Sequence, residues 1–371
     1  MEFAIAKDNF LKALQRVQGI VENRKTMPIL SNVLIDARQQ RIDIIATDLE
    51  VGMKSSYPAD VSREGKITVS AKKLYEIIKE LPEAEISFST KENDWIVLRC
   101  GKAQFNLVGL SPEEFPFFPA VNDSNFLRLN GALMREMVEM TSFAICHDET
   151  KYNLNGIFIK AIEQDSGSLL RMVATDGHRL SMAERQIPKV NSTHLLNGVI
   201  FPKKGIFELK RLTEDDGEIQ LSFLDNSSVL KKDDTLVLMR LVDGYFPDYT
   251  RVLPTDNDKV VTVNREDFMH SLRRMAILSS EKFKGIVMEL KNGVMEISAS
   301  NPDLGEASET LEVEYSGPDL SVRFNARYLI DVLSVIDEDR VDMELKDELS
   351  PALLKPHQGA GFISVIMPMR V

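Results

Sequence analysis

EFAIAKDNFLKALQRVQGIV, residues 2–21, opens as a short alternating strand and, after Lys7-Asp8, becomes a run with apolar residues at three- and four-residue spacing. That change of period marks a strand feeding an amphipathic helix. The plan returns in FLRLNGALMREMVEMTSFAI (126–145) and VVTVNREDFMHSLRRMAILS (260–279), with Asn-Gly and Asn-Arg as start signals. A second helical stretch recurs as VSAKKLYEIIKEL (69–81), FPKKGIFELKRL (201–212) and FNARYLIDVLSVI (324–336). Its apolar positions superimpose: Leu74, Ile78 and Leu81; Ile206, Leu209 and Leu212; Leu329, Leu333 and Ile336. A third echo, ATDLE (46–50), ATDGHR (174–179) and ASNPDL (299–304), sets Thr47, Thr175 and Ser300 128 and 125 residues apart. The chain reads as three copies of one domain.

The remainder alternates in short β-rich stretches such as RIDIIATDLEVGMKSSY (41–57), DWIVLRCGKAQFNLVGL (94–110) and GVMEISAS (293–300), with turns at NG, EG or DG pairs. Each copy is therefore expected to hold two helices and about eight strands, an α+β fold with domains 1–121, 128–250 and 251–371. The joints fall at 115–124 and 245–258, where prolines and aspartates interrupt the pattern. The ending IMPMRV takes the place in the third copy that YFPDY takes in the second, so the terminus is expected to close a domain.

With 371 residues and 43% hydrophobic content the chain exceeds one ordinary domain. No run approaches the roughly 20 apolar residues of a membrane span, and MEFAIAKDNF lacks the pattern of a secretory signal, so no membrane partner and a cytoplasmic location are expected. Cys100 and Cys146 sit in no CxxC or Cys/His spacing; they are expected to be buried thiols, with no metal or cofactor. The net charge of −12 argues against a protein that is basic all over. Yet the six helical segments 6–20, 69–81, 130–145, 201–212, 263–278 and 324–336 together hold 15 basic and 9 acidic side chains, with Lys72-Lys73 and Lys203-Lys204 at equivalent places and Lys210-Arg211 further along. Such a surface suits sequence-independent contact with a phosphate backbone.

The segments MPILSNVLI (27–35), ATDLE, YNLNGI (152–157), VATDGHRLS (173–181), LVDGYFPDYTRVLP (241–254), ILSSEKFKG (277–285) and IMPMRV closely resemble the bacterial β sliding clamp family, the processivity factor of DNA polymerase III. The resemblance covers all 371 residues. It implies a DNA-clamp fold whose three-domain protomers pair head to tail as a homodimer, closing a ring around double-stranded DNA with helices lining the hole. Implied partners are the clamp loader, the DNA polymerase III alpha subunit and other proteins that carry a clamp-binding motif. By the same resemblance Arg24, Lys72, Tyr152, Asn153, Lys203, Lys204, Arg211 and Arg251 lie near DNA; at Asn153 the family often has an aromatic residue. The implied partner-peptide groove is Leu154, Thr175, Gly177, His178, Arg179, Leu180, Pro247, Arg251, Val252, Leu349, Val365, Met367, Pro368, Met369 and Arg370, with Arg179 and Arg370 as polar contacts at its rim. Flexible methionines suit a groove that takes different apolar side chains. The implied dimer interface sets Arg99, Lys102, Phe105 and Leu107 against Ile277, Leu278, Asp303, Glu306 and Glu309.

A rival reading makes Asp176 and His178 an acid/base pair, with Asp48 matching in the first copy. The third copy has Asn301 there, and the chain holds no nucleophile elbow, Gly-rich phosphate loop or HExxH. Asp176 is expected to tie down a turn instead, in a chain that is not an enzyme. A second rival is a protein-only scaffold that uses the groove without enclosing DNA.

Overall fold

Six strands run into six helices with no residue between them. The structure, a computed structural model, describes residues 1–21, 27–119, 121, 126–279 and 285–369. Glu2–Ala6 feeds α1 (Lys7–Val17), Gly65–Ser70 feeds α2 (Ala71–Glu80), and Leu127–Asn130 feeds α3 (Gly131–Ser142). A one-turn helix, α4 (Thr193–Asn197), precedes the strand Val199–Pro202, which feeds α5 (Lys203–Leu212); Lys259–Asn264 feeds α6 (Arg265–Leu278) and Leu320–Asn325 feeds α7 (Ala326–Leu333). The last strand residue often supplies the cap: Ser70, Asn264 and Asn325 each accept a bond from a backbone N–H of the first helical turn. All the apolar helix positions singled out above are buried except Leu212, which is partly so. Among the described residues the three repeats contain nine, eight and eight strands. Helix α4 is additional, and its five residues are too short to show a period.

The chain forms two units. Residues Met1–Gly131 with Phe207–Leu241 make the first. It holds a five-stranded sheet and an eight-stranded one. In the larger sheet four strands of the first repeat meet four of the second where Val51–Pro58 pairs antiparallel with Thr235–Arg240, Ser55 opposite Thr235 and Met53 opposite Val237. Phe3 stacks on Phe88 with ring centroids 4.8 Å apart and Phe10 meets both edge-on, so α1 is anchored by aromatic packing on the smaller sheet.

Residues Ala132–Ile206 with Val242–Val371 make the second unit. Its eight-stranded sheet repeats the arrangement: Arg179–Ile187 of the second repeat pairs with Phe362–Ile366 of the third, Leu180 opposite Val365 and Met182 opposite Ile363. The strand that ends the described chain is therefore an internal strand of a sheet. A four-stranded sheet completes the unit.

The ATDLE echo is one turn built three times. Asp48 Oδ1 accepts from the N–H groups of Glu50 (3.0 Å) and Val51 (2.7 Å). Asp176 Oδ1 does the same for His178 (2.9 Å) and Arg179 (3.0 Å), and Asn301 Oδ1 takes the N–H of Asp303 at 2.9 Å. Leu49 (φ 74°) and Gly177 (φ 92°) occupy the same left-handed position, where glycine carries no steric cost. These acidic and amide side chains hold strand ends.

Candidate peptide groove, basic surface and free sheet edges

The second unit encloses a cavity of about 200 Å³ lined by Leu154, Thr175, Gly177, Arg179, Leu180, Pro247, Val252, Val365 and Met367, together with Asp248 and Tyr249. Strand pairing brings Leu180 and Val365 side by side, and the N–H of Met367 donates to the carbonyl of His178 at 2.9 Å, which holds the terminal segment along the rim. Behind it Val173, Leu180, Met182, Leu353 and Val365 form a buried cluster against Phe158, Phe246 and Tyr249. Phe158 and Phe246 stack at 5.1 Å. The Tyr249 hydroxyl accepts from Arg171 Nη1 at 3.0 Å, and Arg171 also pairs with Glu184. Partial burial works against the Arg171 charge, but the bonds to Tyr249 and Glu184 outweigh it and raise its pKa.

The structure does not bring every expected groove residue to this cavity. Arg251 is exposed and its Nε reaches Asp248 Oδ2 at 2.9 Å; the Thr250 hydroxyl first, then Arg251, holds the Asp248 carboxyl below the usual carboxylate range. His178 contributes its carbonyl, and Leu349 is exposed. Pro368 does not line the cavity. Met369 lines a separate cavity, its N–H donating to the Arg323 carbonyl at 2.8 Å. Arg370, like Arg24, lies outside the described residues. Asp248 and Tyr249 were not singled out from the sequence, although FPDYT carried them: proline followed by an Asx-turn former aims the tyrosine back onto the sheet.

Arg179, which lines the cavity, has its guanidinium already engaged within the chain. Its guanidinium is buried, bonds Asp176 Oδ2 at 3.1 Å and Asp331 Oδ2 at 2.6 Å, donates to the carbonyl of Phe143, and lies 4.5 Å from the centroid of the Tyr328 ring. Its charge ties α7 to the end of the strand Arg179–Ile187.

The residues expected near DNA differ in exposure and in the contacts around them. Lys72 on α2, Lys204 on α5 and Tyr152 are exposed. Lys203 Nζ stands 2.6 Å from His147 Nδ1, and Asn153 Nδ2 donates to the Tyr245 carbonyl at 3.1 Å. Arg211 bonds Glu208 Oε1 at 3.1 Å and reaches the carbonyls of Gln15 and Arg16. Burial pushes the Glu208 carboxyl up, and Arg211 only partly opposes it. Cys100 and Cys146 are buried free thiols, and no group of metal-ligating side chains is found among the described residues.

Of the terminal strands of the four sheets, two are the counterparts of strands that pair across the seams between repeats. Ala103–Val108 ends the five-stranded sheet with Phe105 36% and Val108 63% exposed; Gly305–Glu312 ends the four-stranded sheet, next to Leu304 at 62%. Ile277, near the end of α6, is 75% exposed, while Leu278 and Leu107 are partly buried. Arg99 bonds Gln104 at 2.9 Å, and Lys102, Asp303 and Glu306 are exposed. Glu309 is already engaged within its own chain: Arg274 clamps it and holds its pKa below the usual range.

Three family models match in succession: the DNA polymerase III beta subunit N-terminal domain over residues 1–119, the central domain over 128–248 and the C-terminal domain over 250–370. The chain belongs to the DNA polymerase III beta subunit family. The beta sliding clamp of Pseudomonas aeruginosa is 38% identical over an aligned 375 positions, and that of Escherichia coli K12 34% over 374, each alignment covering the whole of both chains. A sliding clamp crystal structure from Bartonella birtlesii, bound to griselimycin, superimposes with a TM-score of 0.95 at 34% identity, and one from Pseudomonas aeruginosa with 0.92 at 38%; both cover each chain fully. No helix among the described residues is long and apolar enough to cross a membrane.

In this clamp chain the Arg179 network holds one part of the groove's lining in place. Arg179→Ala leaves Asp331 and Asp176 without their buried partner and is expected to cost about 3–5 kcal/mol of stability. Chemical denaturation checks this, and a loss below about 1 kcal/mol means that the guanidinium is solvated.

Proposed function

We propose that this chain is the sliding clamp of a bacterial DNA polymerase III, that two copies close head to tail into a ring around duplex DNA in the cytoplasm, and that its apolar groove tethers the polymerase and other replication and repair proteins. The division into domains 1–121, 128–250 and 251–371 follows the three-fold repeat and the three matching family models. The carrying observation is a count of sheet edges. Each repeat supplies one edge of either kind; two such pairs are satisfied inside the chain, and the third pair, Ala103–Val108 and Gly305–Glu312, is left over. An exposed edge with apolar side chains invites strand addition. A second copy brings the complementary edge, and two identical contacts about a two-fold axis leave no edge of this kind free.

The equivalent registers define the third seam. Ser55 and Thr235, opposite each other in the first seam, correspond to Glu309 and Ala103; the same offset sets Gln104 opposite Ser308 and Phe105 opposite Ala307. Phe105 and Leu107 then fall on the helix side of the sheet, where Ile277 and Leu278 of α6 can cover them.

Topological enclosure makes tight DNA contact unnecessary. Lys72 and Lys204 can be weak, mobile phosphate contacts, and the acidic remainder discourages indiscriminate binding. The clamp loader is the partner that such a closed ring requires, since duplex without a free end cannot otherwise enter. No step in this reading is catalytic.

Phe105→Ala with Leu107→Ala removes two apolar anchors from each interface, at about 2–5 kcal/mol for each large side chain that becomes fully buried. The variant should sediment as monomer at sub-micromolar concentration and be lost from closed circular duplex, whereas the parent is lost only when the circle is linearised. Retention of the parent on linear DNA would favour ordinary binding, and a dimeric variant would move the interface elsewhere.

For the groove, Met367→Ala should weaken a labelled polymerase tail peptide by about 1–3 kcal/mol. Met369→Ala should leave that affinity within about twofold, a change under 0.5 kcal/mol. The reverse order would place the peptide in the neighbouring cavity.

A further inference from the structure

The three-fold repeat builds the groove's hollow three times and finishes it differently each time. Sheet register defines the equivalence: Leu34 opposite Ile45, Phe158 opposite Val173 and Val287 opposite Ser298. One step along, Thr47 faces Gly52, Thr175 faces Leu180 and Ser300 faces Glu306. The hollow's floor is thus apolar in the first two repeats and largely polar in the third.

The segment that crosses each hollow differs as well. In the first repeat Phe115-Pro-Phe-Phe118 fills it: Phe115 and Phe118 pack on Ile45 and Leu34, and the Phe118 ring comes within 3.2 Å of where a Cβ on Gly52 would stand. In the second, Phe246-Pro-Asp-Tyr249 covers only part, and the apolar groove remains. In the third the matching segment is Met367-Pro368-Met369, with no aromatic ring; Met369 alone lines the hollow, against Gly285. What remains is an open cavity of about 800 Å³ whose lining includes Glu296, Ser298, Ser300, Glu306, Ser308 and Arg323.

We propose that this third hollow is a second docking site, taking an extended segment of a partner protein that presents a lysine or arginine side chain. The extended form follows from the first two repeats, where a strand-like piece of the chain itself crosses the equivalent place. The charge follows from the lining. Glu296 and Glu306 outnumber Arg323 in the lining. The serines leave room where the second repeat has Val173 and Met182, and their hydroxyls can bond a passing backbone. The site therefore selects a different class of segment from the apolar groove and leaves that groove free for simultaneous use.

The test uses the full chain and a fluorescein-labelled octapeptide alternating lysine with serine, with an otherwise identical peptide carrying glutamate as control. Glu296→Gln and Ser298→Phe address the hollow from the strand beside the edge strand Gly305–Glu312, with Ser298 directly opposite Ser308, so sedimentation of each variant reads whether the dimer seam survives; the phenylalanine imitates the plug of the first repeat. Saturable binding of one lysine peptide per chain, weakened about tenfold or more (about 1.4 kcal/mol) by either substitution, is the expected result. Binding that neither substitution changes, or that the glutamate peptide shares, overturns the proposal. Melting temperature, sedimentation and tail-peptide titration of both variants are measured alongside; loss there together with lysine-peptide binding points to misfolding, and the milder Glu296→Gln then decides, its unchanged binding counting against the site.

Discussion

Backbone pairing across the seams between repeats is the constraint on which the rest depends. Val51–Pro58 with Thr235–Arg240, and Arg179–Ile187 with Phe362–Ile366, each turn two exposed edges into the interior of an eight-stranded sheet. Main-chain bonds do not depend on side-chain identity, which is how the seams keep one register while their side chains diverge. Val51 and Met53 are replaced in the second repeat by Arg179 and Ser181, and the pairing persists.

Once the seams are fixed, the side chains at equivalent places are free to specialise. On the helix side of the second seam Arg179 became a buried ionic tie to α7. On the other side Leu180 and Val365 became the floor of a groove, and the terminal Met367 its wall. Charge is divided in the same manner: Lys72 and Lys204 lie on helices, while Asp36 and Asp43 are neutralised within a sheet by Arg38, Lys66 and Lys54. Two surfaces of different chemistry thus share one scaffold.

Much of this was legible in the sequence because repetition multiplies weak signals. One strand-to-helix junction is a guess; the recurrence of 2–21 at 126–145 and 260–279 fixes both the elements and their order. The expectation that Asp176 holds a turn came from the same comparison, since Asn301 can accept the same bond without acid chemistry. What periodicity could not show was direction and partnership. Nothing in VATDGHRLS says that Arg179 points inward to Asp331, 152 residues away, because that contact exists only after two repeats have joined. Nor does MPMRV say that Met367 and Met369, two residues apart, enter different cavities. Arg211 likewise looks like a free cation until Glu208 is found beside it.

The central claim is that a second copy completes the third seam in the register of the first two, and a cysteine pair reads that register directly. Gln104→Cys combined with Ser308→Cys places the thiols on directly opposed residues of two chains, in a background where Cys100 and Cys146 are buried. Mild oxidation is predicted to give a crosslinked dimer in high yield for this pair and little for Gln104→Cys with Ala307→Cys, whose side chains face opposite sides of the sheet. A strong crosslink from the second pair, or none from the first in a protein that sediments as a dimer, would contradict the account.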